Sequence, residues 1–245
     1  MSILRNLFQD RFYFKKSFIV TAMALGLLTS SANMAEADDL VSIARGGRLY
    51  DTWWRENKAE KPTVTHPAYP GKNFKNDATW RCPECHGWDL LGKDGAYGEG
   101  NKHYTGLKGL KGAIDKDPTT IATILRDKTH GYTTAMLTNT DVSDLANFIS
   151  KGQIDMAKFL EYPTLKSKGN VAKGKVYFET LCIGCHGKDG KKIADADPIG
   201  SVAANGDRMV MKIRHGQPRE QMPALLALDP QVTIDIVAHL QTLPQ

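Results

Sequence analysis

The amino-acid sequence predicts an all-α fold built as two small tandem domains. Three observations carry this expectation: strand signals are scarce, apolar residues recur at helical spacing, and the second half of the chain repeats the first. Ala44-Arg45-Gly46-Gly47-Arg48-Leu49-Tyr50-Asp51-Thr52 aligns with Ala172-Lys173-Gly174-Lys175-Val176-Tyr177-Phe178-Glu179-Thr180. Each segment reads as a helix entering its domain, with a glycine and an aromatic residue four positions apart on one face. Each half also ends in a periodic apolar helix, Asp144-Leu145-Ala146-Asn147-Phe148-Ile149 against Asp235-Ile236-Val237-Ala238-His239-Leu240.

The elements follow in chain order. Arg5, Arg11, Lys15 and Lys16 precede an apolar stretch from Phe18 to Leu28. Small residues come next, and Ala35-Glu36-Ala37 fits an A-x-A cleavage site. This order predicts a secretory signal peptide over 1–37, cleaved near Ala37, and a periplasmic mature protein. An uncleaved N-terminal membrane anchor is the alternative, although the apolar run is short for a span. Removing the segment lowers the formal charge from +5 to +3. No basic run with interleaved aromatics is present, so nucleic-acid binding is not expected.

The first domain is expected over 38–152 and the second over 169–245, with 153–168 as a linker around Pro163 and Lys166-Ser167-Lys168. Trp54 aligns with Cys182, so the first half carries an insertion of loop character over 54–81. A long glycine-rich stretch, Trp88 to Gly112, also belongs to the first half alone. These loops read either as water-excluding walls or as a docking or substrate surface. Pro118–Arg126 aligns with Gly206–Arg214 as a second short helix, and each runs into His-Gly, at His130-Gly131 and His215-Gly216.

All four cysteines fall in one kind of motif, Cys82-Pro83-Glu84-Cys85-His86 and Cys182-Ile183-Gly184-Cys185-His186. Two C-x-x-C-H motifs, no spare cysteine and an export signal point to two covalently attached haem c groups, each carrying iron. The spacing suits the chemistry, since two thiols must reach the vinyl groups of one porphyrin while the next imidazole lies against the metal. A thioredoxin-like redox pair, a zinc site shared by both C-x-x-C pairs, and two disulfides are the competing readings.

Each half also has a methionine between its His-Gly and its final helix, Met136 and Met222. A thioether there can reach the porphyrin face opposite the proximal histidine. His130 and His215 are alternative distal ligands, as is His103 in the first half. Met209 and Met211 read as core filler, Met156 has no counterpart in the repeat, and His66 reads as an exposed loop residue.

With these motifs each half resembles a small cytochrome c domain of the His/Met kind, over most of 40–150 and 169–245. The pair is similar in layout to dihaem cytochromes c4 and to the cytochrome subunit of flavocytochrome c. The resemblance implies proximal roles for His86 and His186 and distal roles for Met222 and Met136. Met222-Pro223 keeps a Met-Pro step common in that family, whereas Met136-Leu137 lacks it. It also implies an electron-transfer protein with a redox donor and acceptor, docking to a membrane-bound or periplasmic oxidoreductase. Exposed lysines (Lys102, Lys108, Lys111, Lys188, Lys191, Lys192) are expected to steer acidic partners. The alternative is a dihaem oxidoreductase acting on a small inorganic substrate at the first haem. Dihaem thiosulfate dehydrogenases are of similar length, but their active haem takes a distal cysteine, and here attachment uses all four.

Overall fold

A computed structural model describes residues 37–245; the expected signal peptide lies outside the described residues apart from Ala37. The chain divides into two units, Met1–Val41 and Ser42–Gln245. Residues 37–41 of the first are helical. All that follows concerns the second.

Helix α1 covers residues 42–56. Its inward positions repeat every three or four residues, and Leu49, Tyr50 and Trp53 are fully buried. It crosses α4 (Asn139–Lys151) at Gly46. A Cβ at Gly46 would stand 2.1 Å from the Asp144 carbonyl oxygen and 2.6 Å from Phe148 Cβ, so only glycine permits the approach. Ser42 Oγ donates to Asp144 Oδ1 at 2.6 Å, and Arg45 pairs with Asp144 and Asp141. Asp141 also completes a capping box with Thr138 at the start of α4, a device worth about 1 kcal/mol.

The same crossing recurs downstream between α5 (Val171–Leu181) and α9 (Pro230–Leu240). A Cβ at Gly174 would lie 1.8 Å from the Asp235 carbonyl oxygen and 3.1 Å from His239 Cβ. The Asn170 N–H donates to Asp235 Oδ1 at 2.8 Å, as Ser42 does to Asp144. Tyr50 meets Phe148 and Phe178 meets His239 with ring centroids 5.4 Å apart in both pairs. His239, unexpected at an aromatic packing position, therefore takes the place of Phe148 in the second crossing.

Between these pairs lie α2 (Cys82–His86), α3 (Pro118–Leu125), α6 (Ile183–His186), α7 (Ile199–Ala203) and α8 (Gly206–His215). Strand is confined, among the described residues, to a two-residue antiparallel pair, β1 (Leu160–Glu161) and β2 (Lys166–Ser167), with Leu160 opposite Ser167. The fold is mainly helical, as the scarcity of strand signals predicts.

The 153–168 segment departs from a loose linker. Met156 and Leu160 are buried, Tyr162 donates to Asp89 Oδ2 at 2.9 Å, and Ser167 Oγ donates to the Ile234 carbonyl at 2.7 Å. Polar residues and a proline suggested a linker, but Met156, Leu160 and Leu165 find the core. Met209 and Met211 are buried in α8 as expected.

Helix α8 packs back onto α1. Lys212 Nζ lies 2.6 Å from Asp51 Oδ2, Arg81 pairs with the other carboxylate oxygen at 2.5 Å, and Arg48 donates to the His215 carbonyl at 3.0 Å. Trp88 takes Arg81, Arg208 and Lys212 against its ring at 5.2, 5.7 and 5.6 Å.

Candidate haem-binding sites

Each C-x-x-C-H motif forms one short helical turn ended by a glycine. Gly87 (φ 77°) donates to the Pro83 carbonyl, and Gly187 (φ 74°) donates to the Ile183 carbonyl. A side chain is strained at such φ, so glycine follows both histidines for a conformational reason. The loops beyond share three hydrogen bonds at the same spacing. Leu90 N–H donates to Gly87 O and Gly190 N–H to Gly187 O, each at 3.3 Å. Gly92 N–H donates to His86 O at 2.8 Å and Lys192 N–H to His186 O at 3.1 Å. Asp89 Oδ1 accepts from Leu91 N–H at 3.0 Å and Asp189 Oδ1 from Lys191 N–H at 3.1 Å. The His-Gly-x-Asp sequence is common to both halves; it was the overlooked signal for Asp89 and Asp189.

The thiols are unpaired with one another. Burial pushes Cys82 up to about 12 and Cys85 and Cys182 up to about 11. A thioredoxin-like pair needs the opposite, a thiol lowered by neighbouring positive charge or a helix terminus. No group of three or more His, Cys, Asp or Glu residues converges as a metal cage among the described residues, so the two C-x-x-C pairs do not assemble a zinc site there.

His86 is half-buried, and burial lowers its pKa, as it does that of His186. Both rings are thus biased to the neutral form that a metal ligand requires. His86 Nδ1 stands 3.0 Å from the Lys108 carbonyl, which leaves Nε2 open. The first site is walled by aromatic residues. Tyr50 donates to the Gly87 carbonyl at 2.6 Å, Tyr132 donates to the Trp80 carbonyl at 3.1 Å, and Trp53 Nε1 donates to the same carbonyl at 3.0 Å.

The candidate distal residues separate clearly. His103 is sandwiched between Phe74 and Tyr97, with centroids 4.4 and 4.5 Å away, and its Nδ1 faces the buried Glu84 carboxylate at 3.0 Å. Its ring is committed to that stack. Met136 is half-buried against the core, with its carbonyl accepting from Asn57 Nδ2 at 2.8 Å. His130 stands with its ring centroid 6.4 Å from that of His86 and its plane 21° from parallel.

In the second half Met222 is half-buried against the core and lines an open groove with Arg48, Glu56 and Arg219. His215 turns instead toward α1 and α4: a Cβ at Gly47 would sit 2.4 Å from its ring, and Phe148 meets it edge-on at 5.1 Å. Its Nδ1 faces the Met211 carbonyl at 2.9 Å, and Nε2 is buried with no partner. Burial holds its pKa down at about 3.

His66 corrects an expectation. It is buried rather than exposed, packs on Trp80 at 4.3 Å, and its Nε2 donates to the His130 carbonyl at 2.9 Å. The flanking Thr and Pro suggested a surface turn, but Trp80 of the insertion and the distant Tyr132 close over the ring.

The residues fit haem c. Beyond the C-x-x-C-H turns, buried guanidinium donors are left without acceptors among the described residues, Arg214 Nε and Nη1 and Arg208 Nε. Carboxylate-bearing groups such as propionates satisfy donors of this kind. Leu181 beside Cys182 and Leu107 beside Lys108 are exposed, apolar surface of the sort a porphyrin covers.

Residues 169–240 match the family model described as cytochrome C oxidase, cbb3-type, subunit III. A cytochrome c domain is therefore present over that range, and such a domain implies covalently bound haem c with iron and electron transfer to redox partners. No curated protein matches the chain with significance.

Proposed function

We propose that the chain is a periplasmic dihaem electron-transfer protein that relays electrons between a donor and an acceptor through two covalently bound haem c groups. The domains are 38–152 and 169–245, joined by the packed segment 153–168. Cys82 and Cys85 attach the first haem and Cys182 and Cys185 the second, with His86 and His186 as proximal ligands and Met222 as the distal ligand of the second.

One observation carries this reading. Four hydrogen bonds of the turn and loop around His86 recur at the same spacing around His186, although the family match covers only the second. The paired crossings at Gly46 and Gly174 support the same duplication. Haem c supplies a one-electron ferric/ferrous couple. The protein's part is to hold the proximal imidazoles neutral and oriented, to exclude water with the aromatic wall, and to present charge to a partner.

All six lysines around the motifs are exposed, which suits steering of acidic redox partners. The insertion bears on the choice between carrier and enzyme. Its buried members, His66, Thr79 and Trp80, brace the first site from within, which favours a closed carrier over a substrate chamber.

The test is ligand accessibility of the purified holoprotein. A carrier keeps both haems low-spin and ignores carbon monoxide and cyanide. A high-spin or ligand-binding first haem in the wild type would turn the assignment toward an oxidoreductase.

A further inference from the structure

We infer that His130, in place of Met136, is the distal ligand of the first iron, so that the two sites are chemically unlike: bis-imidazole at the first and imidazole–thioether at the second. The inference rests on the proposed attachment of haem at Cys82 and Cys85.

The spacing of the rings is the first argument. Direct stacking in this protein brings centroids to 4.4 and 4.5 Å, as around His103. His86 and His130 stand about 2 Å farther apart, at 6.4 Å. Two imidazoles on opposite sides of one metal need roughly 6 Å between ring centres, given metal–nitrogen bonds of about 2.0–2.1 Å and the nitrogen-to-centre distance. The two planes, 21° from parallel, are oriented alike. No corresponding ring pair joins His186 to His215 among the described residues, because His215 packs on Phe148.

The bonding of each ring is the second argument. His86 Nδ1 is engaged by the Lys108 carbonyl at 3.0 Å and His130 Nδ1 by Asp127 Oδ1 at 3.2 Å. A carbonyl or carboxylate on one ring nitrogen fixes the tautomer that offers the other nitrogen to a metal. Neither Nε2 has a hydrogen bond among the described residues.

The backbone around His130 is held from three directions. Asp127 Oδ1 also accepts the His130 N–H at 2.9 Å, and Gly131 N–H donates to the Asp127 carbonyl at 2.8 Å. His66 Nε2 donates to the His130 carbonyl at 2.9 Å, while His66 Nδ1 accepts from Ala68 N–H at 3.1 Å. His66 is thus a positioning residue, supplied by the segment that only the first half contains. Among the described residues Met136 has no comparable guide for its sulfur; its hydrogen bonds are made by its backbone.

Bis-imidazole ligation lowers a haem potential relative to imidazole–thioether, so the first site is the electron-entry side and the second the exit side. With both haems held by these residues, the pair would supply a one-electron relay in which no proton or group is transferred.

The experiment uses holoprotein matured with both haems, read by near-infrared absorption and electron paramagnetic resonance. The wild type should show the thioether-specific charge-transfer band at the intensity of a single haem, and Met136→Leu should leave every signal unchanged. His130→Gly should convert the first haem to a high-spin, carbon monoxide-binding form, and added imidazole should restore the low-spin signal. His130→Met should raise the thioether band about twofold, which gives a second reading if the glycine variant matures poorly. His66→Leu should increase carbon monoxide binding at the first haem while the thioether band of the second stays intact. Loss of half the thioether band in Met136→Leu, or an unaltered spectrum in His130→Gly, overturns the inference. A wild type with a single haem, or a Cys82→Ala/Cys85→Ala variant that keeps both, instead overturns the underlying dihaem reading.

Discussion

Lys212 Nζ and Asp51 Oδ2 are 2.6 Å apart, a buried ion pair that ties α8 to α1 across 161 residues of sequence. Arg81, the residue before Cys82 of the first C-x-x-C-H motif, shares the same carboxylate. Asp51 therefore links the first motif to the helix that leads to Met222. Asp51→Asn leaves a buried ammonium without its counter-charge and should cost about 3–5 kcal/mol in unfolding free energy. Urea titration checks this. The double variant Asp51→Asn/Lys212→Met should recover most of the loss, and a single variant within about 0.5 kcal/mol of wild type contradicts the account.

Acid sensitivity follows from two buried groups. Burial alone would raise Asp51, but Lys212 and Arg81 hold it below the usual carboxylate range. Its contribution is complete above about pH 4 and is lost as pH falls through the lowered value. His215, neutral in the fold and held down at about 3 by burial, acts earlier. The unfolded chain takes up a proton there below about pH 6.5 while the folded chain does not. Stability should therefore fall by up to about 1.4 kcal/mol per pH unit between about pH 6 and pH 4. His215→Phe preserves an aromatic contact with Phe148 and should flatten that limb in denaturant titrations run across pH. An unchanged slope in the variant contradicts the burial argument.

The helix crossings predict matched penalties. Gly46→Ala forces a Cβ against the Asp144 carbonyl and Gly174→Ala forces one against that of Asp235. Both contacts are to backbone, so α1 must shift from α4, and α5 from α9. Each variant should lose about 1–3 kcal/mol, measured by thermal unfolding of the holoprotein. If only one of the two is sensitive, the crossings are not equivalent.

Met222→Leu should abolish the thioether-specific near-infrared band of the second haem and lower its potential. Persistence of the band removes Met222 from the ligand set. A bis-imidazole spectrum at the second haem in wild type would point to the buried, unbonded Nε2 of His215.

Electron-transfer rates with an acidic partner should fall as ionic strength rises, because the lysines around both motifs are solvent-exposed. Stopped-flow rates that do not respond to salt contradict the steering role.

Much of this was legible in the sequence because it depends on local rules. The short C-x-x-C-H turns and the end of α8 at His215-Gly216 follow from spacing and glycine placement, and the similar α1–α4 and α5–α9 crossings from periodicity, whereas α3, expected to run into His130-Gly131, stops at Leu125. The alignment sets Phe148 against His239, and each makes a 5.4 Å ring contact, with Tyr50 and Phe178 respectively. The burial of His66 was not legible. Its partner, the His130 carbonyl, lies 64 residues away, and no local pattern announces a contact between an insertion and a distant turn. The packing of 153–168 was hidden for a related reason, since its anchors, Tyr162 on Asp89 and Ser167 on Ile234 and Gln241, lie far away in sequence. The contrast between His130 and His215 also required three dimensions, because both are followed by glycine yet only the His130 ring lies near-parallel to that of a motif histidine, His86.

The duplicated attachment site is tested most directly by counting haem. Pyridine haemochrome analysis combined with intact mass of the purified chain should give two covalently bound haems per polypeptide, falling to one when Cys82 and Cys85 are replaced by alanine. A wild-type chain that carries one haem, seated at Cys182 and Cys185 alone, contradicts the account.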